Sequence, residues 1–173
     1  ILVIGLKDGI VLNDFLTYMV NKLGRGEPPT PTNIAWNISP KVNAVFRNGA
    51  KSDKEFLFKG FVNEVPPEEA LKIATRCHRK QSTEVKAIVE QSKNECLNRK
   101  NCAVVFIDNE YKHYTGLIAA KLMSECNKTA LVLHKTNPTV FSGSLRSPVD
   151  VLKIINESQL ASCRGHEQAC GIA

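Results

Sequence analysis

Apolar side chains recur every three or four positions through the stretch PPEEALKIATRCHRKQSTEVKAIVEQSKNECLNRK, for example at Leu71, Ala74, Val85 and Ile88. This spacing is typical of one face of a helix and predicts a single helix over residues 66–100. Some thirty residues at about 1.5 Å each give a length on the order of 45 Å. Because that is long for a helix packed inside one small domain, we expect it to connect two domains.

After residue 101 the pattern changes to short apolar runs that alternate with helical repeats. The runs CAVVFID, ALVLHK and TVFSGSLR predict strands, and the stretches TGLIAAKLMSEC and SPVDVLKIINES predict helices. This order of strands and helices implies an α/β fold with at least one right-handed crossover. We therefore expect a mixed β-sheet that is flanked by helices and preceded by the long helix.

The chain opens with the apolar run ILVIGLKDGIVL, which predicts a buried strand followed by a turn. Lys7 and Asp8 lie inside this run, so it is not a secretory signal, and we expect the chain to be a fragment of a longer protein. A helix should follow, with Asn13 or Asp14 as its N-cap and Gly24 at its end.

Residues 25–50 are predicted to be rich in loops, because four prolines interrupt them. Asn43 and Arg47 lie four positions apart in the predicted loop SPKVNAVFRNG. A loop that presents such side chains is suited to binding, although most residues of this kind are simply solvated. Ser52 and Glu55 have the spacing of a capping box, which predicts the start of a short helix.

Composition narrows the classes of partner. The net charge of +6 and the pI of about 9.0 favour polyanionic partners without identifying them. No run of eighteen apolar residues occurs, so we expect no membrane span. The six cysteines include no CxxC pair, which argues against a zinc ribbon or a thioredoxin-like site. Without a secretion signal, we expect reduced thiols in a cytoplasmic protein.

The junction SGSLRSPVDVLKI is the stretch richest in candidate chemistry. Ser147 and Pro148 are residue types that open a helix, so free backbone N–H groups are expected just after Gly143, Ser144 and Arg146. Small residues, a hydroxyl and a guanidinium that converge on a helix N-terminus could form a cradle for phosphate or carboxylate. The alternative is a plain strand-to-helix turn with a surface arginine.

The C-terminal stretch GHEQACG leaves several interpretations open. His166 and Cys170 lie four positions apart, would share one face of a helix and could bind a metal, although two ligands do not make a site. Nothing in the sequence marks Cys170 as an activated nucleophile. The segment could also be the start of a helix that faces the core, or His166 could contact a ligand phosphate.

Taken in order, these stretches resemble one family. GSLRS followed by GHEQACG resembles the G-S-x-R-S and G-G-H-x-x-A-x-G signatures of the DHH-associated C-terminal domain. SPKVNAVFRNG resembles the P-R-L-N-A-x-G-R segment of RecJ-type single-stranded-DNA exonucleases, and TGLIAAKL resembles their G-I-V-A-S-K-L helix. IGLKDGIVL resembles the last metal-ligand motif of the DHH catalytic domain.

The resemblance implies three parts: the C-terminal edge of a DHH catalytic domain at 1–65, a connector helix at 66–100 and a substrate-binding domain at 101–173. Together they would be the C-terminal part of a manganese- or magnesium-dependent 5′–3′ exonuclease for single-stranded DNA, a cytoplasmic hydrolase of DNA repair and recombination. We expect this fragment, without its N-terminal DHH domain, to be inactive alone and to bind no metal tightly.

The resemblance also implies roles for individual residues. Asp8 would be the one remaining metal ligand, and His166 would lie close to the scissile phosphate as a catalytic residue. The further contacts to substrate and phosphate would come from Asn43, Arg47, Gly143, Ser144, Arg146, Ser147 and Gly165.

Several departures from the family pattern bear on function. Arg164 stands where the family has the first glycine of G-G-H, and Phe46 replaces the glycine of N-A-x-G-R. The D-x-D and D-H-H motifs, which supply most of the two-metal site, do not occur in the sequence. Two alternatives stay open: a non-catalytic module that binds nucleic acid, and a DHH phosphodiesterase for short oligonucleotides or cyclic dinucleotides.

Overall fold

The computed structural model describes residues 13–24, 30–159 and 161–173. The chain divides into two compact units, Ile1–Ser82 and Thr83–Ala173. The functional division into three parts stays a prediction. Among the described helices, none is long and apolar enough to cross a membrane.

The first described helix, α1 (Asp14–Leu23), has the predicted ends. The side-chain oxygen of Asn13 accepts a hydrogen bond from the backbone N–H of Leu16 at 2.7 Å, and Gly24 follows the last turn. Asn13 is therefore the N-cap, because its side chain satisfies a backbone donor that the helix leaves without a partner. The strand predicted ahead of this helix lies outside the described residues.

The segment predicted as loop is helical from Pro31 to Asn48, so that prediction was wrong for these residues. A short helical turn, α2 (Pro31–Asn33), a π-helical segment (Ile34–Ile38) and helix α3 (Ser39–Asn48) follow one another directly. Pro31 and Pro40 each lie in the first turn of a helix. A first turn does not need the backbone N–H that proline lacks, so these prolines begin helices instead of interrupting them.

Helix α4 (Lys51–Phe61) begins close to the predicted position but with a different cap. The backbone N–H of Ala50 donates to the Asp53 carboxylate at 3.1 Å, so the predicted pairing of Ser52 with Glu55 was wrong. The helices of this unit bury one face each against a common core. Its largest fully buried side chains are Phe15, Met19, Leu57 and Val45.

The long helix α5 (Pro67–Asn98) confirms the prediction from periodicity. Its 32 residues give a length of about 48 Å. Glu68 and Glu69 lie in its first turn, where negative charge interacts favourably with the helix dipole. Its buried residues belong to two separate cores, with Ala74 in that of the first unit and Val89 in that of the second.

The second unit contains a five-stranded sheet in the order β1-β2-β3-β5-β4. The strands are β1 (Cys102–Ile107), β2 (Thr129–Lys135), β3 (Phe141–Arg146), β4 (Cys163–His166) and β5 (Ala169–Ile172). β1 and β2 are parallel and are joined through helix α6 (Thr115–Cys126), whereas the other neighbours are antiparallel. The predicted mixed sheet is confirmed.

Helices pack on both faces of this sheet. α5 and α6 pack over the face that carries Ala130 and Val132, both fully buried. The opposite face carries Leu145, against which the short helix α7 (Leu152–Ser158) packs. The prediction of an α/β fold with flanking helices is therefore confirmed.

The C-terminal stretch is a hairpin, so the interpretation of GHEQACG as the start of a helix was wrong. β4 and β5 pair with His166 opposite Ala169, which leaves a two-residue turn between them. Gly165 has a φ of +145°, which residues with a side chain rarely adopt. A Cβ at Gly165 would also lie 2.6 Å from the carbonyl oxygen of Ala169, so glycine is required at this position.

Cys163 and Cys170 form a disulfide within this hairpin, so the expectation of six reduced thiols was wrong for this pair. Antiparallel pairing places both side chains on the α7 face, with their Cα atoms 6.0 Å apart, which is within the range that disulfides bridge. The other four cysteines, all described, are free; they are Cys77, Cys96, Cys102 and Cys126.

Candidate anion-binding site

Arg146 ends β3 beside the first turn of α6. Its Nη1 donates to the carbonyl oxygen of Leu145 at 2.8 Å. Its Nη2 lies so near the helix that a Cβ added at Gly116, the second residue of α6, would be 3.2 Å away. α6 follows the 3₁₀ helix Asn109–Tyr114 directly. The guanidinium lies against this junction, at the N-terminal end of α6.

Arg146 has no carboxylate partner among the described residues. None of the ion pairs found among the described residues involves this half-buried arginine. Burial lowers the pKa of its guanidinium from the ordinary value, yet an arginine stays charged at neutral pH. The N-terminus of α6 adds a partial positive charge. A cation without a carboxylate beside a helix N-terminus is suited to bind an anion.

A pair of hydroxyls completes the site. Ser144 lies two residues before Arg146 on β3, so both side chains project from the same face of the sheet. The Ser144 Oγ is 3.0 Å from the Oγ1 of Thr115, the first residue of α6. Thr115 also donates to the carbonyl oxygen of Lys112 at 3.3 Å. Because the Thr115 proton goes to Lys112, the Ser144 hydroxyl donates to Thr115. Ser144 therefore positions the start of the helix and does not present a free donor.

Ser147 is buried and already hydrogen-bonded. Only 2% of its surface is exposed, and its Oγ lies 2.8 Å from the Oγ1 of Thr129 and accepts from the N–H of Val149 at 3.2 Å. The helix predicted to begin here begins at Leu152, so Ser147 is not its N-cap. The helix N-terminus beside Arg146 belongs to α6 instead of α7.

Gly143 lies on the opposite face of β3 from Ser144 and Arg146. A Cβ at this position would lie 1.9 Å from the carbonyl oxygen of Val132 on the neighbouring strand. Close approach of β2 therefore explains the glycine, and its predicted contact with phosphate stays a prediction.

Register places His166 on the same face of the sheet as Arg146. Arg146 pairs with Ala169 on β5, which pairs with His166 on β4. Side chains directly opposite one another in a ladder project from the same face. The exposed imidazole of His166 and the guanidinium of Arg146 therefore flank one strand. The predicted contact of His166 with a phosphate stays a prediction.

The remaining predicted residues lie elsewhere in the chain. Asn43 is exposed and Arg47 is half-buried on α3, which is a helix and not the predicted loop. Asp8, the predicted metal ligand, lies outside the described residues. Among the residues that the structure does describe, no three His, Cys, Asp or Glu side chains come together to hold a metal ion.

Sequence reasoning missed Thr115 and Gly116. The signal was present in TGLIAAKL, where a hydroxyl residue and a glycine precede an apolar helical repeat. What the sequence alone does not reveal is that this helix start lies beside β3.

The fold is similar to part of several solved RecJ structures. RecJ from Thermus thermophilus in complex with Mg²⁺ gives a TM-score of 0.69 at 17% identity over 92% of this chain and 25% of that chain. Its complex with Mn²⁺ gives 0.70 at 16% identity over 92% and 24%. An exonuclease RecJ bound to manganese gives 0.66 at 16% identity over 92% and 40%.

The chain thus spans less than half the length of each of these proteins. The sequence matches no family model and no curated protein. The resemblance inferred from motifs is confirmed as a likeness of fold to a portion of RecJ.

Proposed function

We propose that this chain is the C-terminal, substrate-binding part of a metal-dependent phosphodiesterase that acts on single-stranded DNA. The observation that carries the proposal is Arg146, which lacks an ion pair among the described residues and lies beside the N-terminus of α6 and the Ser144 hydroxyl. A guanidinium binds a phosphate through paired hydrogen bonds, and helix N–H groups add further donors. A phosphodiester of the DNA backbone matches this set of donors.

The other predicted residues have supporting roles in this proposal. His166 would contact a phosphate close to the scissile bond from the same face of the sheet, with Gly165 shaping its strand. Asn43 and Arg47 would line the path of the strand in the intact protein. Ser147 would support the end of β3 from within, because its hydroxyl is already engaged.

The proposed chemistry divides between this chain and the rest of the protein. Manganese or magnesium, held with the help of Asp8, would activate water and stabilise charge on the phosphate. The described residues contain no metal-binding group, so their contribution is to orient the DNA. We expect the purified 173-residue chain not to hydrolyse DNA, and manganese-dependent cleavage by it would contradict this division.

Binding of labelled oligothymidylate, followed by fluorescence anisotropy, tests the proposal. Arg146→Ala should weaken binding by about ten- to a hundredfold, because a charge-assisted contact is lost. Arg99→Ala is the matched control, since it removes an exposed arginine that follows the end of α5 and pairs with Glu95. Equal affinities for the two variants would rule out the anion site.

The intact protein separates the alternatives. Hydrolysis of a long single strand in preference to a dinucleotide supports the exonuclease proposal. Preference for the dinucleotide would support a phosphodiesterase of short oligonucleotides, and binding without any hydrolysis would support a non-catalytic module.

A further inference from the structure

Strand β5 lies between β3 and β4. It presents two small residues on the face of the sheet that carries Arg146. Ala169 and Gly171 lie on β5 and pair with Arg146 and Ser144, respectively. A Cβ added at Gly171 would have no atom nearer than 3.9 Å, so no described side chain covers this strand. We call Ala169 and Gly171 the β5 floor.

Polar and basic side chains flank the β5 floor on both sides. On β3 these are Ser144 and Arg146, and on β4 they are Arg164 and His166. Neighbouring strands lie about 4.8 Å apart, so the backbones of β3 and β4 are separated by about 9.6 Å across the floor. The result is a shallow channel with an arginine on each side.

Arg164 has no oppositely charged partner among the described residues. Its side chain is exposed, and it takes part in none of the ion pairs found between described residues. It lies directly across β5 from Ser144, through Gly171. No ion pair joins Arg164 to the nearby Glu167 within the part of the chain that the structure describes.

Building on the proposed function, we infer that Arg164 binds a second phosphate of the same strand, next to the one held by Arg146. Arg146 lies beside the N-terminus of α6 and would hold one phosphate there. Arg164 lies on β4, two strands away from β3, and its guanidinium can donate to another anion. The face therefore selects a phosphodiester chain with at least two phosphates over a mononucleotide.

Two ligands and a salt titration test this assignment in the 173-residue chain. The probe is labelled oligothymidylate of about twelve nucleotides, within the site size of single-strand-binding domains. The competitor is thymidine 5′-monophosphate, which offers a single phosphate. Arg164→Gln should weaken binding of the oligonucleotide about tenfold and leave competition by the monophosphate unchanged, whereas Arg146→Ala should weaken both.

The salt dependence gives an independent readout. Each lost phosphate contact should make the slope of log affinity against log salt shallower by about 0.7 for a single strand. Arg164→Gln and Arg146→Ala should each show this change, and the control Arg99→Gln should not. Arg164→Lys keeps the charge and should restore most of the slope.

The outcomes distinguish this inference from the proposed function. If Arg146→Ala weakens binding but Arg164→Gln behaves like Arg99→Gln, the second phosphate contact is wrong and the proposed function stands. If Arg164→Gln weakens the monophosphate as much as the oligonucleotide, both arginines share one phosphate and the inference also fails. If neither variant differs from the control, the proposed function fails as well. Thermal melting checks that the variants are folded, which is expected because Arg164 is exposed.

Discussion

The hydroxyls of Thr115 and Ser144 lie 3.0 Å apart, although the two residues are 29 positions apart in the chain. This contact joins the first residue of α6 to the middle of β3 and keeps the helix N-terminus beside Arg146. Thr115 is buried, so its side chain has little freedom to move away. The donors of the anion site are thus arranged before a ligand arrives, which reduces the entropy lost on binding.

Replacing Ser144 by alanine should weaken binding more than it weakens the fold. Thr115 keeps its hydrogen bond to Lys112, so no buried donor loses every partner. We expect the free energy of unfolding to fall by about 1 kcal/mol or less. Affinity for oligothymidylate should fall severalfold, measured by anisotropy with urea denaturation alongside. Full affinity in Ser144→Ala would remove this hydroxyl from the site.

Replacing Ser147 by alanine should have the opposite effect. The change removes the partner of the Thr129 hydroxyl and the acceptor for the Val149 N–H in a buried place. Losses of this kind cost about 1–3 kcal/mol of unfolding free energy. The folded fraction should bind DNA with unchanged affinity. A variant that kept its stability and lost its affinity would restore Ser147 as a phosphate ligand.

The elements that could be predicted from the sequence are those in which apolar residues follow the pattern of one helix or one strand. α5 and the three strands β1, β2 and β3 were found because apolar residues recur along each of them with the period of a helix or form the short apolar runs of a strand. Ser144 and Arg146 were also predicted as site residues, and the structure places both side chains on the same face of the sheet. The helix predicted to lie beside them was the one that follows β3 in the sequence, whereas the structure has α6 there. The contact between β3 and α6 depends on tertiary packing, which the residues next to β3 in the sequence do not reveal.

The two wrong assignments of secondary structure have specific causes. Prolines were counted as helix breakers over residues 25–50, although Pro31 and Pro40 occupy first turns. In GHEQACG, the spacing of His166 and Cys170 was interpreted as helical. The left-handed conformation of Gly165 and its close approach to β5 make the segment a hairpin, and glycine alone in a sequence does not specify which turn it forms.

Gly165 and Gly171 should respond differently to the same substitution. Gly165→Ala forces a residue with a side chain into a φ of +145° and against the Ala169 carbonyl, so we expect a loss of about 1–3 kcal/mol in unfolding free energy. Gly171→Ala places its methyl group in ordinary van der Waals contact, 3.9 Å from the nearest atoms, and should change stability by about 0.5 kcal/mol or less. Urea denaturation of both variants measures the difference, and equal losses would contradict the hairpin geometry.

His78 should make the stability of the protein depend on pH. Burial first, and the charge of Lys41 second, lower the pKa of this imidazole on α5. The unfolded chain, with a histidine pKa near 6.5, then binds more protons than the folded chain between that value and the lower folded one. The free energy of unfolding should therefore fall as the pH drops below about 6.5.

Replacing His78 by glutamine should reduce this dependence on pH, because no imidazole remains there to be protonated on unfolding. The measurement is urea denaturation at several pH values between about 5 and 7.5, a range that spans ordinary histidine titration. His113→Gln is the matched control, since His113 is exposed, and it should keep the wild-type dependence. If His78→Gln lost as much stability at acid pH as the wild-type chain, another group would be responsible for the effect.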